Sequence, residues 1–250
     1  MKPAFTLYSP ENGTEYWIFI SAPEEETATA ALPLPAIVFM DGDDQFSAAV
    51  SAYRAQRSSN LVPPMLIAGV GYGASYAKAA NRRGRDYTPT AHSDEPTSGE
   101  ADTFLRFLRI TLWPELARRF PLREDIRGIA GHSLGSLLVL HALWQEPPFF
   151  THHLASAPSI WWDDRSILRI AAERHAGDAN LKADLFLSVG ESDTKSMTGD
   201  FALLEQQLRE QPFTDLRVTS RRFPRRNHFN VLPDAFGAGL TALFNNTSVH

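Results

Sequence analysis

Short apolar runs alternate with segments of helical periodicity along most of the chain. The runs at residues 36–40 and 65–70 are continuous, which is typical of strands that are buried on both faces. The predicted strands are residues 15–21, 36–40, 65–70, 127–130, 153–156, 183–189 and 216–219. The predicted helices are residues 45–53, 134–144, 165–176, 201–208 and 234–244.

The order of these elements predicts the fold class. Strands that alternate with helices form a mostly parallel central sheet with helices on both faces. The chain has 250 residues, which fits a single domain over residues 1–250. Sites in such sheets lie at the carboxyl ends of the strands, so the functional side chains are expected there.

One more helix is predicted after the polar loop at residues 81–99. Thr97 and Glu100 have the spacing of a capping box, in which each side chain bonds a backbone N–H of the other residue. The segment that follows carries an apolar stripe from Phe104 to Leu116, and Pro114 should kink the helix or end its first part.

Composition narrows the function classes. The net charge of −5 argues against a general attraction to nucleic acid or to an anionic membrane. The chain has no cysteine, which excludes thiolate catalysis and fits a reducing compartment. No apolar run approaches the ~20 residues of a membrane span, and no signal peptide is recognisable. We therefore expect a cytoplasmic protein whose partner is a small molecule rather than nucleic acid or membrane.

The strongest chemical motif is Gly-x-Ser-x-Gly, formed by Gly131, Ser133 and Gly135. It stands between a predicted strand and a predicted helix, which is the context of a nucleophile elbow. The turn strains the serine backbone, so the neighbouring side chains must be small. Ser133 is therefore the predicted nucleophile, and a plain tight turn with a capping serine is the alternative.

A serine hydroxyl needs a base, and His228 is the predicted one. In α/β hydrolases the acid and then the histidine follow the serine along the chain. Of the eight histidines, only His228 and His250 follow the strand that should supply the acid, and His250 is the last residue of the sequence. His132, next to the nucleophile, is expected to point elsewhere. A solvated loop histidine is the alternative for His228.

The acid that orients the histidine should follow the strand at residues 183–189. Asp193 is favoured because it can turn back toward the histidine loop, and Glu191 is the alternative acid because of its longer reach. Asp163 and Asp164, after an earlier strand, are third choices. For any of these carboxylates, helix capping or simple solvation is an equally good interpretation.

Two backbone amides are predicted to form the oxyanion hole. The first is the amide of Leu134, directly after the nucleophile, and the second is the amide of Asp43, in the loop after the strand at residues 36–40. The three aspartates Asp41, Asp43 and Asp44 could instead hold a metal ion, but no further ligand set follows at the required spacing. We expect neither a metal nor a cofactor.

Seven segments give the chain a resemblance to an esterase family of α/β hydrolases, which includes esterase D-like, feruloyl and siderophore trilactone esterases. The likeness is greatest to the siderophore esterases, and the segments run in family order over nearly the whole chain. They are residues 16–20, 39–43, 69–72, 85–89, 131–135, 157–162 and 227–229.

The resemblance implies an α/β-hydrolase fold and hydrolysis of carboxylic esters through an acyl-serine intermediate. It also implies that Arg85, Tyr87, Trp161 and Trp162 lie near the mouth of the active site. The acid is variable among siderophore-type members, some of which look like Ser–His dyads, so a dyad is the alternative to a triad.

The substrate would be a small or siderophore-like ester. Lys78 and the arginines at positions 82, 83 and 85 form a basic loop that could attract an anionic ester, although a solvated loop is the favoured interpretation. The alternatives to a hydrolase are an acyltransferase with the same acyl-enzyme and a non-catalytic binding protein on the same fold. The complete set of serine, base and acid argues against a mere binding role.

Overall fold

A computed structural model describes residues 2–23 and 33–245, and His250 lies outside the described residues. Eight strands form one sheet in the order β1-β2-β4-β3-β5-β6-β7-β8. They are β1 (Phe5–Ser9), β2 (Thr14–Ser21), β3 (Leu34–Phe39), β4 (Leu66–Gly71), β5 (Leu122–His132), β6 (His152–Ser156), β7 (Asn180–Gly190) and β8 (Thr214–Phe223). The β1/β2 and β2/β4 pairs are antiparallel and the other neighbours are parallel. The predicted mostly parallel central sheet is confirmed.

Helices cover both faces of the sheet because successive strand residues point to opposite sides. They are α1 (Gly42–Ser58), α2 (Arg83–Asp86), α3 (Ala101–Phe107), α4 (Trp113–Arg119), α5 (Leu134–Leu143), α6 (Trp162–Gly177), α7 (Lys195–Glu210) and α8 (Leu232–Phe244). On one face, Ile37 and Phe39 of β3 pack into a core with α1 and α8. On the other face, Val38 of β3 belongs to a core that includes α3 and α5.

The sequence pattern missed or shortened several elements. The strand β1 was not predicted, because its side chains alternate between half-buried and exposed and the strand lies at the edge of the sheet. The strand β5 begins at Leu122, five residues before its predicted start, and its first half is polar and partly exposed. Polar strand ends carry little periodicity, so only the buried half was recognisable.

The predicted capping box is wrong. Glu100 is itself the N-cap of α3, and its side chain accepts no backbone N–H of the helix but instead accepts the hydroxyl of Thr103 at 3.0 Å. Gly99 has a φ of +95°, so the chain turns between Thr97 and Glu100 and cannot place them in reciprocal contact. The helix is interrupted close to Pro114, as predicted. A π-helical turn at Leu108–Leu112 separates α3 from α4, and Pro114 lies in the first turn of α4. None of the helices in the described ranges combines the length and the apolar character required to cross a bilayer.

Candidate active site

Ser133 lies at a sharp turn between β5 and α5, at the carboxyl edge of the sheet. Its backbone angles are φ 59° and ψ −120°, a strained conformation for a residue with a side chain. Its N–H donates to the carbonyl of Ser156 on the neighbouring strand, at 2.9 Å. A Cβ atom on Gly131 would stand 2.3 Å from the carbonyl carbon of Gly135, so position 131 admits only glycine.

The Ser133 hydroxyl contacts a second serine. Its Oγ lies 3.3 Å from Oγ of Ser159, a buried residue in the turn after β6. Among the residues that the structure describes, Ser133 makes no hydrogen bond to His228. The sequence pattern alone did not identify Ser159 as a neighbour of Ser133. Its position after a strand at the carboxyl edge was the available signal.

His228 and Asp193 are brought together from two different loops. Nδ1 of His228 lies 3.0 Å from Oδ2 of Asp193. The Asp193 side chain is only 1% exposed, and its other oxygen accepts the N–H of Thr194 at 2.7 Å. Both oxygens of this buried carboxylate are therefore bound, which fixes the imidazole that it contacts. Glu191 is exposed, and among the described residues Asp193 rather than Glu191 is the carboxylate bound to the ring.

The two loops are joined through their backbones. The N–H of Ser192 donates to the carbonyl of Arg226 at 2.8 Å, and that of Glu191 donates to Phe223 at 3.0 Å. A Cβ atom on Gly190, the last residue of β7, would stand 2.3 Å from the Arg226 oxygen. This close approach brings the loop that carries Asp193 against the loop that carries His228.

His132 lies inside the site, so the prediction that it points elsewhere is wrong. Its ring centroid is 4.7 Å from that of His228, and its Nδ1 is 3.1 Å from Oγ of Ser156. Burial, together with the smaller electrostatic effects of His228 and Arg83, lowers the pKa of His132 to about 3. The His132 ring is thus uncharged at ordinary pH and packs against the imidazole of His228.

Leu134 and Asp43 each stand in the first turn of a helix. Leu134 is the first residue of α5 and Asp43 is the second of α1, so neither amide has an acceptor within its own helix. The two N-termini are close, because Oδ2 of Asp41 lies 3.2 Å from the position that a Cβ on Gly135 would take. The amide of Asp43 lies beside the end of β4, because its nitrogen is 2.9 Å from the position that a Cβ atom on Gly71 would take.

The three aspartates of this loop have three separate partners. The Asp41 carboxylate is bound by the guanidinium of Arg83. Oδ2 of Asp43 accepts the N–H of Tyr72 at 2.5 Å. Oδ1 of Asp44 accepts the hydroxyl of Ser75 at 2.6 Å. They do not converge on a common point. Within residues 2–23 and 33–245, no three His, Cys, Asp or Glu side chains are grouped as metal ligands.

The residues expected at the mouth differ in their exposure. Tyr87 is fully buried, and the guanidinium of Arg85 is bound by Asp86, by Oγ1 of Thr14 and by other groups of the β1–β2 hairpin. These two side chains are therefore engaged inside the protein rather than free at a pocket mouth. Trp161 and Trp162 follow the turn that carries Ser159.

Exposed aromatic side chains lie beside the turn that carries Ser159 and beside the loop that carries His228. Trp161 is 49% exposed, whereas Trp162 is buried and donates its indole N–H to the carbonyl of Thr90 at 3.0 Å. Phe229 is 89% exposed, and its ring lies edge-on to His228 with centroids 5.6 Å apart. The sequence pattern alone gave no signal for this exposed position of Phe229.

Comparisons with known proteins agree with this geometry. A family model described as "Putative esterase" matches residues 9–230. The ferri-bacillibactin esterase BesA of Bacillus subtilis is 32% identical over 241 residues, which cover 89% of this chain and 82% of that protein. The siderophore triacetylfusarinine C esterase of Aspergillus fumigatus is 37% identical over 64% of this chain, which spans only 57% of that relative. The crystal structure of the BES protein from Bacillus cereus matches with a TM-score of 0.86 at 27% identity, covering 96% of this chain and 93% of that one.

Proposed function

The chain belongs to this esterase family of α/β hydrolases, and on that premise we propose that it hydrolyses ester bonds of siderophores through an acyl-serine intermediate. The buried Asp193 carboxylate bound to Nδ1 of His228 is the observation that carries the proposal. A carboxylate at Nδ1 stabilises the tautomer whose Nε2 is free to accept a proton. A solvated loop histidine would need no such partner.

In the first half-reaction, the Ser133 oxygen attacks the ester carbonyl while its proton passes to Nε2 of His228. The hydroxyl must first turn away from Ser159, which it contacts at 3.3 Å in the free enzyme. Negative charge develops on the former carbonyl oxygen, and the amides of Leu134 and Asp43 donate to it. The bond to the alcohol then breaks, and the imidazolium of His228 gives its proton to the departing oxygen.

In the second half-reaction, a water molecule takes the place of the alcohol. His228 accepts a proton from the water, whose oxygen attacks the acyl carbon. Collapse of the second tetrahedral intermediate releases the carboxylic acid, and the proton on His228 returns to the Ser133 oxygen. The neutral His132 beside the imidazole adds no competing positive charge when His228 becomes protonated.

The proposal extends to the substrate and to the setting of the reaction. The relatives are named as esterases of ferri-bacillibactin and triacetylfusarinine C, which supports a siderophore ester as substrate and hydrolysis rather than acyl transfer. Trp161 and Trp162 would form one wall of the pocket. Residues 1–250 would act as a single domain, and the cysteine-free composition supports a cytoplasmic location.

Replacing the nucleophile tests the mechanism. We expect Ser133→Ala to lower kcat on p-nitrophenyl butyrate by about 10⁶-fold, because the members of such a set act as a unit. A fluorophosphonate should label one serine of the wild-type chain, identified as Ser133 by peptide mass spectrometry. Ser159→Ala is the matched variant, because it removes only the partner hydroxyl and should still be labelled.

The substrate class needs its own assay. Wild-type protein is incubated with iron-loaded bacillibactin or triacetylfusarinine C, and the linear products are separated by chromatography. Turnover that depends on Ser133 supports the proposal. Hydrolysis of p-nitrophenyl butyrate without turnover of either siderophore would keep the esterase mechanism and reject the substrate class. Unchanged hydrolysis in Ser133→Ala would reject the mechanism itself.

A further inference from the structure

Arg83 holds the turn after β3 by a two-point ion pair. Its Nε lies 2.8 Å from Oδ1 of Asp41, and its Nη2 lies 3.0 Å from Oδ2 of the same carboxylate. The Asp41 side chain is fully buried and that of Arg83 is 20% exposed. The guanidinium also lies over the ring of Tyr76, at 4.8 Å from its centroid. This pairing engages two sides of the guanidinium and neutralises much of its local field, so the group is poorly placed to attract an outside anion.

Tyr87 holds the backbone of the same residue. The N–H of Asp41 donates to the Tyr87 hydroxyl at 3.0 Å, deep in the core. Asp41 has φ 56° and ψ 45°, a left-handed conformation that is uncommon for a residue with a side chain. Such strain persists only where surrounding contacts determine it. Arg83 and Tyr87 supply those contacts, one at the side chain and one at the backbone.

The segment that carries both residues is itself fixed. Asp86 lies between them, and its Oδ2 accepts the hydroxyls of Tyr16 at 2.7 Å and Tyr72 at 3.0 Å. Its Oδ1 is bound by Arg85 at 2.7 Å, and Arg85 reaches Thr14 on β2 at 2.8 Å. Arg83 and Tyr87 therefore project from a short helical turn that is anchored to β2 and to Tyr72, the residue after β4.

Asp41 is the N-cap of α1, so its position sets the direction of the first N–H groups of that helix. Its side chain does not cap the helix, because Arg83 occupies the carboxylate. The amide of Asp43 lies two residues further on. Any movement of Asp41 would shift this amide relative to the oxygen that it is proposed to stabilise.

We propose that Arg83 and Tyr87 are positioning residues that hold the β3–α1 turn, and with it the oxyanion-hole amide of Asp43, in its productive place. The inference rests on the proposed esterase function. Arg83 then has a structural role, although the basic loop that carries it would otherwise be interpreted as a solvated surface or as an attractant for anionic substrates. The neighbouring Arg82 is exposed and lies outside the ion pair, so it offers a natural control.

Kinetics on two esters separate positioning from substrate binding. The variants are Arg83→Gln, Arg83→Lys, Tyr87→Phe and the control Arg82→Gln, each assayed on uncharged p-nitrophenyl acetate and on an anionic p-nitrophenyl hemisuccinate. We expect Arg83→Gln to lower kcat by about 10- to 100-fold on both esters, because small misplacements of catalytic groups cost this much. KM should stay within about threefold, since ground-state binding is untouched.

The other variants give graded effects. Tyr87→Phe should lower kcat by about 3- to 10-fold, the value of one hydrogen bond. Arg83→Lys should restore only part of the loss, because an ammonium cannot form the two-point contact. In the variant with both Arg83→Gln and Tyr87→Phe, the loss should be smaller than the product of the single losses, because both act through Asp41. Arg82→Gln should leave kcat unchanged.

Three results would overturn the proposal. The first is an unchanged kcat in Arg83→Gln and Tyr87→Phe. The second is an increase of KM confined to the anionic ester, which would make Arg83 a substrate contact. The third is an equal loss in Arg82→Gln, which would point to general charge. Circular dichroism checks folding, and Tyr87→Phe decides if Arg83→Gln does not fold. Failure of the esterase function itself differs, because the wild-type chain would then show neither hydrolysis nor labelling of Ser133.

Discussion

Two close backbone approaches build the proposed site, one at the nucleophile and one at the base. At the nucleophile, a Cβ on Gly131 would stand 2.3 Å from the backbone of Gly135. At the base, a Cβ on Gly190 would stand equally close to the Arg226 oxygen. The first pair is separated by four positions in the sequence, whereas the second joins loops that follow different strands.

This difference separates local from tertiary control. The turn at Ser133 is dictated by its own neighbours, so the five-residue motif carries its full steric requirement. The contact between Asp193 and His228 exists only because β7 and β8 are adjacent and parallel. The geometry of the nucleophile region, residues 131–135, is thus determined by a short sequence. The geometry of the base region, the two loops that carry Asp193 and His228, is determined by the fold.

Asp193→Asn is the most severe way to test the base region. We expect kcat to fall by about 10⁴-fold, because an asparagine amide favours the wrong histidine tautomer. Stopped-flow or steady-state hydrolysis of p-nitrophenyl butyrate measures the loss. The matched control is Glu191→Gln, two residues earlier, where the side chain is exposed and kcat should not change.

Equal and small losses in Asp193→Asn and Glu191→Gln would favour a Ser–His dyad. The base region would then depend on His228 alone, and the contact between the two loops would serve stability rather than catalysis. A loss in Glu191→Gln that exceeds that in Asp193→Asn would move the acid to position 191.

Gly190→Ala should have the next largest effect. The new methyl group meets the backbone of Arg226, so the histidine loop must move by about 1 Å, which can lower kcat by about 100-fold. The matched control is Gly199→Ala in α7, where a Cβ atom meets nothing within 4 Å. Urea unfolding of both variants checks that the loss is catalytic. A fully active Gly190→Ala would mean that this close approach does not set the position of His228.

The same contrast explains what could be predicted from the sequence. The alternation of strands and helices and the sharp strand–turn–helix at Ser133 follow from local patterns, and the structure shows both. The contact of His132 with His228 could not be predicted in this way. His132 ends β5 and His228 follows β8, so their rings meet only because of how the sheet is arranged. The pairing of Arg83 with Asp41 was hidden for a similar reason. A basic loop looks solvated until the fold shows a buried carboxylate opposite one of its arginines.

The smallest expected effect concerns the outer edge of the base region. Phe229 is 89% exposed beside His228, so its replacement should not disturb folding. If the base loop also selects the acyl group, Phe229→Ala should raise KM for an aromatic ester such as p-nitrophenyl benzoate by about 2- to 10-fold. KM for p-nitrophenyl butyrate should change less, and Leu203→Ala, at an exposed position on α7, should change neither KM.

A lower kcat on both esters at unchanged KM would instead show that Phe229 orients the imidazole, with which its ring packs edge-on. The His228 imidazole would then be held from two sides, by Asp193 on the buried side and by Phe229 on the exposed side.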